Sequence, residues 1–435
     1  MNLNTMKRVR QQIWGCFSYS ADALCELIDA LASSPSARSL PELSLSASFR
    51  RKWPSVYEAL SDGRVDSQRW SQIWTEALLV GHSGPVWVSV DSTSIERAFT
   101  ETSADRGMIS VPNLPHATKP VNVGWHFSTV MLLPQERSRW GAILSQRRIH
   151  SSETAVAVAI EQLEGLRPHL PATTRVLTDR WYVTGPFVQA VKRLHMSALL
   201  RLQRNRKLYR PAPPPVPGKR GAPRKDGDLF QGSRPETYGE PDEQWAGADE
   251  PGHPIQVQAW RQLHLRQARE VEVTVFRVLR ERAQGTKRDP RESWFVGVGA
   301  EPLPLGEVVE AYRRRFSHEH TYRFLKQDLL WTQVRVRTPE QFERWSLLVA
   351  TAMNQLVLAR QMGQSLYRPW ERRTQVVTPR QVRRMMPAIL SQLGTPTRVP
   401  KPRGKSPGRV KGMRSGPPPR FQVIRRTARP TARTG

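Results

Sequence analysis

Three acidic side chains in this sequence could carry chemistry. Asp91 closes the Val-rich run VWVSVD, Asp179 closes RVLTD, and Glu319 is the lone acid in AYRRRFSHEHTYRFLKQ, residues 311–327, among four arginines, two histidines and a lysine. An acid directly after strand-forming residues puts a carboxylate at the carboxyl edge of a sheet, where open α/β folds place ligands. An aspartate there is also a common turn or cap residue. Arg315 and Glu319, four apart, are equally an ordinary helix-surface pair worth a few tenths of a kcal/mol. The charge of the whole chain favours the chemical reading. With 67 Lys and Arg against 38 Asp and Glu, the net charge is +29 and the pI near 11.2, a field suited to a polyanion and to nucleic acid first. Three converging carboxylates in such a chain suit two-metal phosphodiester chemistry, with two Mg²⁺ ions about 4 Å apart. Hard carboxylate oxygens fit Mg²⁺, and Mn²⁺ can substitute.

The elements that must position these groups are legible from periodicity. At about 100° per residue, Tyr312, Arg315, Glu319 and Lys326 share an arc of about 60°, which predicts one polar stripe on a continuous helix. His318 and His320, also on this helix, point about 200° apart, so a zinc-binding pair like that of a hydrolase is not expected.

Residues 1–80 read as a helical unit, with ADALCELIDALA and SQRWSQIWTEALLVG carrying apolar residues three and four apart, and DNA binding or simple helix packing both fit it. From 81 to 204 the chain gives three strand-like runs (VWVSVDSTS, VNVGWHFSTVML, WGAILSQRRI) and then alternates helix and strand. That pattern predicts an α/β fold, a mixed sheet with helical cover. Residues 205–290 interrupt it with a Pro-rich stretch and the strand-like IQVQAWRQLHL and VEVTVFRVLR, as a β-rich insertion. WFVGVG resumes the core, which runs over 291–365. The last acid is Glu371, and residues 398–435 hold twelve Lys or Arg among Pro, Gly, Ser and Thr, so 366–435 is expected to be a mostly disordered basic arm that holds phosphate without reading sequence.

The spacing Tyr312, two residues, Arg315, three residues, Glu319, six residues, Lys326 matches the Y-(2)-R-(3)-E-(6)-K signature, and the chain thereby resembles the bacterial DDE transposases of the insertion-sequence-four group and its relatives. VDSTSIERAF and TDRWYVTGPF resemble the segments around that family's two catalytic aspartates, the insertion falls where the family has one, and GKSPGRVKG is similar to the tails of some members. The resemblance covers about residues 86–360. It implies a ribonuclease-H-like core, a catalytic and metal-binding triad of Asp91, Asp179 and Glu319, and cut-and-paste movement of an element with terminal inverted repeats into target DNA by a homodimer in the DNA complex. It further implies that Tyr312, Arg315 and Lys326 contact DNA phosphates. In some members a tryptophan in the insertion region holds a flipped base; Trp294 stands in a corresponding place, with a stacked core tryptophan as the favoured reading.

Cys16 and Cys25 have neither zinc nor disulfide spacing. No run of 18 apolar residues is present and the N-terminus lacks a signal-peptide core, so a cytoplasmic, nucleoid-associated protein without a membrane partner is expected. Two other functions fit the same residues: a DNA-binding protein derived from an inactive transposase, and a structure-selective nuclease on the same fold.

Overall fold

The structure, a computed structural model, describes residues 3–111, 120–135, 140–215, 221–248, 252–280, 292–299, 303–363, 367, 370, 377–402, 408, 410–414 and 416–425. The chain opens with α1 (Leu3–Trp14), the two-residue strand β1 (Phe17–Ser18), α2 (Ala21–Ser33), the single turn α3 (Leu40–Leu43), α4 (Pro54–Asp62), β2 (Arg64–Val65), which pairs with β1, and α5 (Ser67–Leu79). Their local signals are clear: the Ser39 side chain caps α3 and Asp66 caps α5, each accepting from a backbone amide in the first turn.

A twelve-stranded sheet follows. Strands β3 (Trp87–Glu96), β4 (Gly107–Ser110), β5 (Val121–Leu132) and β6 (Ala142–Ile149) form its antiparallel side, with β4 and β6 both pairing with β5. After α6 (Ala155–Leu166), β7 (Arg175–Thr178) pairs parallel with β3. After α7 (Gly185–Arg193), β8 (Ser197–Leu202) pairs parallel with β7. This is the mixed sheet with helical cover that the alternation of patterns predicts.

The stretch 205–290 does not fold as a separate module. Strands β9 (Leu208–Tyr209), β10 (Leu229–Phe230), β11 (Glu243–Ala248), β12 (Pro254–Leu265) and β13 (Ala268–Arg280) continue the same sheet, because β14 (Glu292–Val298) pairs with β13 on one side and β8 on the other. Strand β14 covers the edge that β8 would otherwise expose, and the β12–β13 hairpin in turn covers the far edge of β14.

Period-2 alternation divides β3 between two faces. Val88 and Val90 pack with α6 and α7 residues such as Leu163 and Phe187. Trp87, Ser89, Asp91 and Thr93 face the other way, toward α8 (Leu305–Arg313) and α9 (Phe316–Gln327). The helix α10 (Pro339–Gly363) packs on that second face, where buried Asn354 accepts from the Ile143 amide and donates to its carbonyl, both at 2.7 Å. Ile143, held by these two bonds, pairs with Met131 beside the register shift between Val130 and Met131.

The expected basic arm needs correcting. Residues Pro379–Leu393 form α11, with a capping box made by Thr378 and Gln381 and a buried face that includes Val382, Met386 and Ile389. The arginines and Pro387 within it mask that face in the sequence. Beyond it, the Phe421 amide donates to the Glu101 carbonyl (2.9 Å) and the Ile424 amide to the Arg106 carbonyl (2.7 Å), so part of the tail lies against the sheet edge beside β4. The GKSPG of the tail motif falls mostly outside the described residues. One apolar cluster joins α1, α2, α4 and α5 to α10 and α11. Arg10 crosses it, pairing with Asp29 at 2.6 Å and reaching Gln355 and the Gly394 carbonyl. Cys16 and Cys25 are buried free thiols in it. Among the described residues no helix is long and apolar enough to cross a membrane.

Candidate active site

Asp91 lies in the middle of β3 rather than at its end, because β3 stays paired with β5 as far as Glu96 while its parallel partner β7 stops at Thr178. The expected edge is therefore the end of the β3–β7 pair: Val90 registers with Thr178, and Asp91 and Asp179 follow on neighbouring strands. Asp179 leaves the sheet at once, its Oδ1 accepting from the Arg180 amide at 2.7 Å to start a short 3₁₀ turn over Arg180–Tyr182. Tyr182 is buried against Phe187, which fixes the turn to the core.

The helix bearing Glu319 is not continuous with the one bearing Tyr312. The chain tightens at Arg314 and Arg315, where the Arg315, Ser317 and His318 amides bond to carbonyls three residues back. Three-residue bonding advances each residue by about 120° instead of 100°, so the expected single stripe breaks. Tyr312 stays on α8 with its ring 4.7 Å from Phe295 and the Arg201 guanidinium 5.7 Å from it. Arg315, Glu319 and Lys326 remain together at the β3 end.

What fixes α9 is a match of two repeats. Four helical residues rise about 6 Å, and two strand residues about 6.6 Å. His318, Tyr322 and Lys326 accordingly meet Ser89, Asp91 and Thr93 in turn. His318 Nδ1 pairs with Ser89 Oγ at 2.6 Å, the Tyr322 hydroxyl donates to the Asp91 carbonyl at 3.0 Å, and Lys326 Nζ donates to Thr93 Oγ1 at 2.7 Å and the Ser94 carbonyl at 3.1 Å. Thr321 adds a fourth tie, its Oγ1 accepting from the Gly141 amide at 3.1 Å, a contact that a Cβ at Gly141 would crowd at 2.7 Å. The strut role of His318 and Tyr322 escaped the sequence; the four-residue steps from 318 to 322 to 326 were the available signal.

Lys326 thus differs from the free phosphate ligand the stripe suggests, since its ammonium already holds β3. Lys326→Met, which keeps the stem and removes both bonds, is expected to lower stability by about 2 kcal/mol in urea unfolding. An unchanged midpoint would show that the strut carries no weight.

Arg315 links the acids. Its Nη2 donates to Asp91 Oδ2 at 2.7 Å and its Nη1 to Glu319 Oε1 at 3.0 Å, one amino group per carboxylate. The Arg315 and Asp91 side chains are 11% and 18% exposed, whereas Glu319 is 53% exposed. Burial raises the Asp91 carboxyl to about 6 despite Arg315 and the Ser92 amide, with the Asp179 and Glu319 charges adding to the rise. Burial also holds His318 neutral, well below the ordinary histidine range, with Arg315 acting the same way. In turn, the Asp91, Asp179 and Glu319 charges all hold Arg315 protonated against the cost of its burial. Two of the three predicted acids, Asp91 and Glu319, thus share one guanidinium through hydrogen bonds, and Asp179 acts on it through its charge.

Trp294 lies in the core. It is 1% exposed, stacked on Trp260 with ring centroids 5.7 Å apart at 21°, and flanked by Phe230 and Tyr238. On β14 it points into the cluster beneath the added strands, so no face is open to a base.

A family profile described as DDE superfamily endonuclease matches residues 13–269, more than half of the chain. The chain belongs to this superfamily. No curated protein matches it. The DDE match spans Asp91 and Asp179 and ends before Glu319. Glu319 lies outside the matched residues and is tied to Asp91 through their shared bonds to Arg315.

DDE endonucleases generally work with divalent metals. The donors here fit such an ion chemically: three carboxylates supply hard oxygens, and a guanidinium already stands as the cation between two of them. Among the described residues, no three His, Cys, Asp or Glu side chains are gathered closely enough to hold a metal ion.

Proposed function

We propose that this DDE endonuclease is a transposase, cutting DNA at the ends of an insertion sequence and joining those ends to target DNA. The observation that carries the proposal is the placement of Asp91 and Glu319 on one guanidinium, with Asp179 at the end of the adjoining strand, in a chain of charge +29. In this reading Asp91, Asp179 and Glu319 hold two Mg²⁺ or Mn²⁺ ions. Metal bound there supplies Lewis-acid stabilisation of charge developing on phosphate oxygens.

The chain's own residues prepare the site. The β3–β7 register sets the two aspartates side by side, and the α9 ties to Ser89, Asp91 and Thr93 fix the approach of Glu319. Arg315 is the phosphate contact we assign, because it borders the most exposed of the three acids. Tyr312, packed on Phe295 and under Arg201 and close enough for its charge state to feel Arg315, is the second phosphate contact we assign.

A structure-selective nuclease would use the same acids, so strand joining discriminates. Duplexes ending in the inverted repeats that flank the gene, incubated with the protein, Mn²⁺ and a supercoiled plasmid, are expected to yield joined products on gels. Cleaved ends that never join would support the nuclease; binding without cleavage would support a DNA-binding derivative.

A further inference from the structure

We propose that Arg315 is an internal counterion that keeps divalent metal out of the site until DNA phosphate draws its guanidinium away, so that DNA and metal bind cooperatively. This rests on the proposed metal-binding role of the three acids and goes beyond it by assigning the order in which the site is charged.

The geometry makes the competition direct. Asp91 Oδ2 and Glu319 Oε1, two of the oxygens a metal would need, are each engaged by a separate nitrogen of one guanidinium. A dication at those oxygens would sit against a buried positive charge, so metal there competes directly with Arg315 in this pose. The pose also leaves Arg315 incompletely satisfied: its Nε is buried without a hydrogen-bond partner among the described residues. A phosphate offers the guanidinium two parallel acceptors on one group, the arrangement its planar fork fits best. Glu319 is half exposed, so the Arg315–Glu319 side of the bridge is where a DNA backbone can reach.

Once Arg315 turns to a phosphate, Asp91 and Glu319 lose their shared cation while the polyanion adds negative charge nearby. Both changes favour a divalent ion. Linkage makes the effect reciprocal: the factor by which DNA tightens metal equals the factor by which metal tightens DNA. Free metal would then load poorly in the absence of DNA.

The test reads binding rather than turnover. Free Mn²⁺ is followed by electron paramagnetic resonance as it is titrated with the full-length chain at pH 8, without DNA. Arg315→Met is expected to bind Mn²⁺ roughly tenfold more tightly than the wild type. Ca²⁺ is expected to tighten binding of a labelled duplex to the wild type by a similar factor, measured by anisotropy, and to leave the Arg315→Met duplex affinity almost unchanged. Should Arg315→Met not fold, Arg315→Gln serves, since its neutral amide removes the counterion charge while keeping a polar side chain; it too is expected to bind Mn²⁺ more tightly than the wild type. Equal or weaker Mn²⁺ binding by the Arg315 variant, with Asp91→Asn still lowering it, overturns the counterion and leaves the metal site standing. If Asp91→Asn and Glu319→Gln leave Mn²⁺ affinity untouched with or without duplex, the counterion and the metal site both fall.

Discussion

Glu319→Gln is expected to lower metal-dependent DNA cleavage by roughly a thousandfold or more while leaving duplex binding and folding close to wild type. The structure makes this substitution clean. The described side-chain bond of Glu319 is the one its Oε1 accepts from Arg315 Nη1, and a glutamine oxygen can accept the same bond in the same place, though more weakly. The helix is held by His318, Thr321, Tyr322 and Lys326, which the change does not touch. What is lost is one negative charge and one hard metal ligand. Asp91→Asn and Asp179→Asn should behave alike, and the triple variant should be hardly worse than any single one, because residues acting as a unit give non-additive losses. Cleavage by Glu319→Gln at near wild-type rate would remove Glu319 from the site. A DNA-bound structure with the three carboxylates more than about 10 Å apart would do the same to the triad, since two ions about 4 Å apart could not be shared.

Trp294→Ala is expected to cost about 3–5 kcal/mol of stability. The indole stacks on Trp260, has Phe230 and Tyr238 at its edges, and carries the Arg277 guanidinium 5.4 Å from its ring. A Cβ built on Gly232 would already come within 3.0 Å of it, so little space is free for repacking around a truncated side chain. Because β14 is the bridge between β8 and β13, the loss should loosen the added strands first, visible as faster amide exchange in β12 and β13. Trp294→Phe should cost much less. Normal stability in Trp294→Ala with a selective loss of cleavage would return the residue to the DNA-facing role that its position in the sequence suggested.

The two cases mark what the sequence could and could not convey. Strands such as VWVSVD declare themselves by alternation and β-branched residues, and the acids at the end of the β3–β7 pair follow from that. Glu319 was legible through fixed spacing alone. The break at Arg314 and Arg315 was not: their backbone angles, φ −55° ψ −30° and φ −59° ψ −25°, remain helical, and the tightening lies only in which carbonyl each amide chooses. The sharing of Arg315 between two carboxylates was equally hidden, because it depends on how α9 registers on β3, set by contacts across more than 200 residues of chain. Trp294 sits on a strand with two faces, and which is covered depends on Trp260, Tyr238 and Phe230 arriving from the preceding strands. In α11 the apolar face was obscured by five arginine or proline residues on a fifteen-residue helix.

The cluster that joins the first five helices to α10 and α11 has a consequence for how the protein is made. The apolar faces of α1 and α2 find part of their cover only in residues 339–393, the extreme being Arg10, whose partners include Gln355 and Gly394. At ~5–20 residues per second, a ribosome that has finished α2 needs ~20–70 s more to complete α11. During that interval the leading helices leave the exit tunnel with Leu24, Leu27, Ile28 and Leu31, all buried in the finished fold, unable to reach their final neighbours. The nascent chain is therefore a natural client for holding chaperones, and slow codons late in the message would lengthen its exposure.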